Sequence, residues 1–440
     1  MKKLLIILIL FSFSTAQAQK SQSKSTQLTD DQLLDKVQQQ TFKYFWDFAH
    51  PVSGMARERS NTSFDYGAEV VTTGGTGFGV MALIVATERG WIARDTAARH
   101  MLKMLKFLAK ANSFHGVFPH WMNGETGKVI PFGRKDDGGD LVETSFLFQG
   151  LLCVRQYFNG KDKVESELRN RINWLWNEIE WDWFTRGGEE VLYWHWSPNN
   201  GWAMNFPLRG YNETLITYVL AASADRYPVS AAVYHQGFAQ SNFFKNGKTF
   251  YNIKLPLGFD YGGPLFFAHY SFLGLDPRGL KDKYADYWEQ NKNHTLINRA
   301  YCLANPKKFK GYGENCWGLT ASDNHLGYGA QSPTEDLGVI TPTGALSSFP
   351  YTPEYSMKAL KHFYYDLGDK IWGDYGFVDA FNETENWYAK SYLAIDEGPI
   401  VVMIENHRTG LLWKLFMSCP EVQRGLKKLG FESPALKPTN

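Results

Sequence analysis

The chain has 440 residues and a net charge of +1, which excludes a basic field for nucleic acid or for an anionic membrane surface. Four cysteines are too few for a disulfide scaffold at this length, and 44% hydrophobic residues suffice for a large core. The 15 Trp, 23 Tyr and 31 Phe exceed what such a core needs, and many flank Gly, Asn and Asp, as in Phe118-Pro119-His120-Trp121 and Tyr193-Trp194-His195-Trp196. Ring faces beside amides and carboxylates suit sugars, although core filling is the competing reading for any single ring.

In chain order, Lys2 and Lys3, the apolar run Leu4 to Phe13 and Ala16-Gln17-Ala18 form a secretory signal peptide over 1–18, cleaved after Ala18, so the protein is expected in the periplasm or outside the cell. The apolar run is too short to span a bilayer, and none comparable follows. Residues 19–30 read as a polar, flexible lead. No Pro/Ser-rich linker divides 31–440, which reads as one domain.

Apolar periodicity predicts helices over Asp31 to Phe48, Gly77 to Glu88, Ala97 to Lys110, Leu141 to Tyr157, Glu165 to Ile179 and Glu213 to Ala224. Further helices are predicted over Ser230 to Phe244, Lys281 to Leu296, Ser356 to Leu367, Thr384 to Ala394, Pro399 to Glu405 and Thr409 to Met417. The Gly-rich Thr73 to Gly79 lacks the lysine of a phosphate loop and is read as close backbone packing or a tight turn. Cys153 is expected to pack as a small hydrophobe, and Cys302 and Cys316 are near enough in sequence to pair. About twelve helices without a short repeat suggest an all-α fold of six hairpins, an (α/α)6 toroid; a solenoid would show a repeat period. The long stretches Asn112 to Gly139, Trp181 to Gly210, Asn246 to Gly279 and Leu303 to Pro353 then form a cleft at one end.

Three acidic clusters fall where helices begin. In Asp136-Asp137-Gly138-Gly139-Asp140-Leu141-Val142-Glu143, Asp136, Asp140 and Glu143 converge, although Asp140 and Glu143 also have capping-box spacing. The double glycine marks backbone brought close to a neighbour. In Gly210-Tyr211-Asn212-Glu213-Thr214, Asn212 is an N-cap and Glu213 falls in the first turn, among Trp202, Phe206 and Tyr211. An aromatic setting raises a carboxyl pKa, as a general acid requires. Phe381-Asn382-Glu383-Thr384 repeats that pattern at a further predicted helix start. In Asp396-Glu397-Gly398-Pro399, the proline fits the first helical position. Paired carboxyls suit glycosidic hydrolysis, whereas no H-E-x-x-H, Cys/His metal spacing, G-x-S-x-G or Walker loop is present.

Thr73-Gly-Gly-Thr-Gly-Phe-Gly, Asp140-Leu-Val-Glu-Thr-Ser-Phe-Leu-Phe-Gln-Gly, Gly263-Pro-Leu-Phe-Phe-Ala-His-Tyr-Ser-Phe-Leu-Gly and Ile395-Asp-Glu-Gly-Pro-Ile-Val-Val-Met-Ile-Glu-Asn resemble the glycoamylase-like domain family. That group includes glycoside hydrolase family 144, the bacterial β-1,2-glucanases. The resemblance spans about Leu33 to Phe431. It implies the (α/α)6 toroid and inverting hydrolysis, without metal or cofactor, of β-1,2-glucan or sophoro-oligosaccharides, internally or by release of sophorose. By the same resemblance Glu213 is the general acid, Asp136, Asp140 and Glu143 are functional carboxylates, and Asp396 is a base or substrate contact. Trp121, Trp194, Trp196, Tyr211, His325 and Trp387 are the candidate sugar contacts, and a monomer is expected. The competing readings are a glycan-binding toroid without catalysis and a lyase, which would need acidic sugars and a cationic site.

Overall fold

The computed structural model describes residues 27–60 and 67–437. The predicted signal peptide and most of the predicted lead lie outside them. Helices run over Asp30–Trp46 (α1), Thr73–Glu88 (α2), Arg94–Leu108 (α3), Leu141–Tyr157 (α4), Lys163–Asn177 (α5), Leu215–Ser223 (α6) and Tyr287–Ala304 (α7). They continue over Pro342–Leu346 (α8), Pro353–Lys361 (α9), Gly368–Ile371 (α10), Ala394–Arg408 (α11), Leu411–Met417 (α12) and Pro420–Lys428 (α13). Among the described residues every strand is short, from two to four residues.

The helices are of two kinds. Residues 73–86 of α2 and 141–154 of α4 are buried on every face, and α11 is nearly so. A helix apolar all round belongs in an interior. α1, α3, α5 and α13 bury one stripe and carry charge on the other. α2 packs against α4 and α11, α4 against α6, and α11 against α8. Short 3-10 turns at Leu265–Ala268 and Tyr270–Phe272 fill the remaining inner position, touching α6 and reaching the segment after α8 through His269 Nε2 and Ser348 Oγ at 3.0 Å. The inner elements close a ring, with α1, α3, α5, Val233–Gln240, α7 and α9 outside it: the (α/α)6 toroid.

The glycine run explains how tightly the ring closes. It is not a loop before α2 but its first two turns, so the helix starts four residues earlier than its apolar periodicity indicates. A Cβ on Gly77 would lie 2.2 Å from the Phe146 carbonyl oxygen, and one on Gly150 would lie 2.2 Å from the Gly77 carbonyl oxygen. The two backbones meet with no side chain between them. Likewise, a Cβ on Gly138 would lie 2.2 Å from the Trp196 carbonyl oxygen, which is the close approach expected of the double glycine.

Several predicted elements differ. Thr384 to Ala394 is not a helix: Phe381 pairs with Tyr388 and Asn382 with Trp387 in a hairpin turned by left-handed Asn386. Asn382 Oδ1 accepts from Thr384 N at 2.9 Å and Glu385 N at 3.1 Å, the same bonds an N-cap makes, here closing a turn. α7 starts at Tyr287 rather than Lys281, because Asp282 binds Tyr284 N and Ala285 N in a turn while Asp286 caps the helix. The predicted Ser230 to Phe244 helix breaks into a π-turn at Val233–Gly237 and a 3-10 turn at Phe238–Gln240. α11 begins at Ala394, so Pro399 lies inside it and not at its first position. α8, α10 and α13 have no predicted counterpart. All four cysteines are buried free thiols, including Cys302 and Cys316.

Gly77→Ala tests the backbone contact. Alanine normally stabilises a helix by about 1 kcal/mol over glycine. Here the clash is with backbone, so a net destabilisation of about 1–3 kcal/mol is expected in urea unfolding. A variant as stable as the parent would show that the helices separate freely.

Candidate active site

All three acidic clusters reach one rim of the ring, and Asp140 shows how. As N-cap of α4 its Oδ1 accepts from Val142 N at 3.0 Å and Glu143 N at 2.9 Å. Its Oδ2 accepts from Trp194 Nε1 at 2.9 Å and lies 3.0 Å from His120 Nδ1. Glu143 does not complete a capping box; its Oε2 accepts from Gly74 N at 2.8 Å, in the first turn of α2. The amino end of α2 thus favours the carboxylate in the first turn of α4.

Glu213 lies two residues before α6, at a turn in which Asn212 Oδ1 accepts from Thr214 N at 3.0 Å. It is 9% exposed. A pocket of about 210 Å³, lined by Glu58, His120, Glu143, Phe146 and Tyr270, shares Glu213, Trp194 and Phe266 with a groove of about 680 Å³. The Glu213 side chain is therefore part of the wall where two compartments meet. The two cavities draw residues from all four long inter-helix stretches, including Trp121, Trp194, Phe266 and Tyr328.

Burial pushes the Glu213 carboxyl up to about 7, with Glu143 and Asp140 adding to the rise against an opposing backbone bond. Burial also raises Glu143 and Asp136. For His120 burial acts downward, but Glu143 and Asp140 outweigh it and hold the imidazole up at about 9. His120, Asp136 and Asp140 offer ligand atoms within 4.8 Å of one another, and protonated His120 already places a positive charge among them. Asp136 lies 3.2 Å from His195 Nε2, the nitrogen that also accepts from Gly138 N at 3.0 Å.

Asp396 is the third residue of α11 and is fully enclosed. Both of its side-chain oxygens and Asp379 Oδ1 meet no donor among the described residues, while Asp379 Oδ2 accepts from Asp323 N at 2.7 Å. The Asp379 and Asp396 carboxyls lie within hydrogen-bond reach of each other, and burial followed by their mutual repulsion raises Asp396 well above the usual range. Two carboxyls so placed share a proton. Arg59 bridges Glu58, at 2.9 Å, and Asp323, at 3.1 and 3.0 Å. Ile395, beside Asp396, lines the pocket together with Tyr270, whose buried hydroxyl also meets no partner. Asp379 carries no cap or motif; its only sequence signal is a lone acid inside the apolar run Gly376-Phe377-Val378-Asp379-Ala380-Phe381.

The predicted sugar contacts divide. Trp121 and Trp194 line the pocket. Trp196 instead packs edge-on against His115 and Trp183, and His325 and Trp387, on two hairpins, line neither cavity. Tyr211 is corrected to a core residue: it is 1% exposed and its hydroxyl bonds Asn291 Oδ1 at 2.9 Å, leaving no ring face for a ligand. The most exposed rings of the two cavities are Tyr328 and four phenylalanines, Phe132, Phe206, Phe243 and Phe259. Phe132 stacks on His120 at 4.0 Å, and Phe243 and Phe259 stack at 5.0 Å on the groove wall. Their placement in Gly/Asn-rich stretches was the available signal.

The glycoamylase family profile, described as "Putative glucoamylase", matches residues 205–420, and a family of unknown function matches residues 36–142. The exo beta-1,2-glucooligosaccharide sophorohydrolase (non-reducing end) of Parabacteroides distasonis is 47% identical over 423 residues, which are 91% of this chain. This chain spans 58% of that relative's length. The endo-beta-1,2-glucanase of Chitinophaga pinensis, solved with sophorotriose and glucose, is 59% identical with a TM-score of 0.90, over 93% of this chain and 100% of that one. An endo-beta-1,2-glucanase of Talaromyces funiculosus, 13% identical with a TM-score of 0.61 over 91% of this chain and 88% of its own, shares the fold alone. The chain belongs to the glycoamylase-like family of glycoside hydrolases, in glycoside hydrolase family 144.

Proposed function

We propose that this chain is an exported, monomeric, single-domain enzyme that hydrolyses β-1,2-glucan or sophoro-oligosaccharides with inversion. The observation that carries the reading is Glu213 in the wall shared by pocket and groove, with its carboxyl held up at about 7. A sugar chain crossing from groove to pocket places a glycosidic oxygen beside a carboxyl that is protonated near neutral pH, as a general acid must be. The substrates named for the Parabacteroides and Chitinophaga relatives support the linkage. A lyase acting on acidic sugars would need cations for its substrate, but Arg59 is held by Glu58 and Asp323, and His120 by Asp140 and Glu143.

The base function falls to the Asp379–Asp396 pair, whose charge is felt by Tyr270 at the pocket wall. Water attacking the anomeric carbon gives its proton to the carboxyl pair through intervening water, since the Tyr270 hydroxyl bonds neither carboxyl directly. Glu213 meanwhile protonates the leaving oxygen, so charge and protons balance. Asp140 holds His120 and Trp194 in place, and Glu143 ties α4 to α2. Asp136 sits behind them against His195. Whether cleavage is internal or releases sophorose from a chain end is read from products of defined-length oligosaccharides.

Glu213→Gln is expected to lower kcat on linear β-1,2-glucan by roughly 100- to 10,000-fold while the fold is retained. Glycosides with a good aryl leaving group should lose far less. Proton NMR of the first product should show the α-anomer, and a variant that keeps parental turnover removes the assignment. The pH profile has a worked sign: the acid is active when protonated and its pKa is raised to about 7, so kcat/KM should fall as pH rises through about 7. A limb near the ordinary glutamate pKa would contradict this. Asp379→Asn should lower kcat at least tenfold with KM nearly unchanged, since Asp379 does not line the cavity. An equal loss in both constants would instead indicate a distorted pocket.

A further inference from the structure

Outside the cleft, Cys316, His362 and Glu383 bring a thiol, an imidazole and a carboxylate together, with ligand atoms all within 4.8 Å of one another. They come from three separate elements. Cys316 lies in a turn closed by paired bonds with Gly313, His362 opens the π-turn His362–Asp366 after α9, and Glu383 follows the first strand of the 381–388 hairpin. None of the three lines the pocket or the groove.

We infer that these three side chains form a binding site for a thiophilic divalent cation, with zinc the best fit. The donor set is of the kind that selects zinc over calcium or magnesium, and three protein ligands leave a fourth position for water.

The surroundings support the site independently of the ligands. His362 Nδ1 lies 2.8 Å from Asp366 Oδ2, which fixes the proton on Nδ1 and leaves the Nε2 lone pair for a metal. A carboxylate behind a histidine ligand is the usual way such a ring is oriented. Glu383 is held over the backbone of Gly311, where a Cβ would lie 2.5 Å from its Oε1, and Lys310 N donates to Thr384 Oγ1 at 2.8 Å. A divalent ion placed among the three ligands would stabilise the thiolate and the carboxylate together. Positions 316, 362 and 383 are too far apart in the chain to form a local motif. The ion would staple the loop before the 321–330 hairpin to α9 and to the 381–388 hairpin.

The test uses the full chain stripped of metal with a chelator and titrated with Co²⁺, then with Zn²⁺ in competition. One bound equivalent and a thiolate-to-cobalt charge-transfer band in the near ultraviolet are expected, both absent in Cys316→Ala. Asp366 is two-thirds exposed and its replacement does not threaten the core. Asp366→Asn should therefore fold normally and bind Zn²⁺ roughly 10- to 100-fold more weakly. Zn²⁺ should also raise the thermal midpoint of the parent protein and not that of Cys316→Ala. Absence of the band in the parent protein, or its persistence in Cys316→Ala, overturns the site.

Discussion

The ring depends on the place where α2 and α4 touch backbone to backbone. Packed helix axes ordinarily stand 8–10 Å apart because side chains separate them. At Gly77 and Gly150 that layer is missing. The consequence is chemical as well as architectural. Drawing the helices together brings Gly74 N to 2.8 Å from the Glu143 carboxylate, and a Cβ on Gly74 would lie 2.3 Å from the same oxygen. Gly75 does the same for α11, since a Cβ there would lie 2.6 Å from the Ala394 side chain, two residues from Asp396. One glycine run therefore sets both the curvature of the ring and the approach of two acidic segments.

So many enclosed carboxyls would be costly if all were charged. They are not matched by an equal number of cations. Protons take that place: burial raises Glu213, Glu143, Asp136, Asp379 and Asp396 alike. The positive charges that are present, on His120 and Arg59, each sit between two carboxyls. A site balanced by protons differs from one balanced by salt bridges, because its groups can give and take protons near neutral pH. Perturbed carboxyls gathered in a cleft are what proton-transfer chemistry requires.

The inner helices α2, α4, α6 and α11 are legible in the sequence because uninterrupted apolar stretches such as Leu141 to Val154 have no other place to go, whereas α8 and the 3-10 turns at 265–272 lie in predicted loops. Asp140 is legible because it caps α4. Asn212 instead closes the turn before α6 and does not cap that helix, so Glu213 lies two residues ahead of the helix and not in its first turn. The limits have a physical reason in each case. Asn382 makes the bonds of an N-cap inside a hairpin turn, and those bonds do not distinguish the two outcomes. Tyr211 lies two residues from Glu213 yet faces the core, since proximity along an irregular segment does not fix direction. Asp379 joins the acidic cluster only through Asp396, seventeen residues away in sequence, a pairing that no local pattern encodes. The same holds for Cys316, His362 and Glu383.

Capping a helix and holding a pocket wall are often posed as alternatives for an acid at a helix start, and Asp140 does both. A carboxylate has two oxygens. Oδ1 takes the two amides at the start of α4, which locks the side chain in one rotamer. Oδ2 is thereby aimed outward at fixed height, where it meets the Trp194 indole and the His120 ring. His120 in turn lies 4.0 Å from Glu143 and stacks on Phe132 at 4.0 Å. The cap gives the outward oxygen its precision, since a side chain free to rotate could hold neither ring. Removing the carboxylate would weaken the helix start and release the pocket wall together, so stability and activity at this position are two readings of one set of bonds.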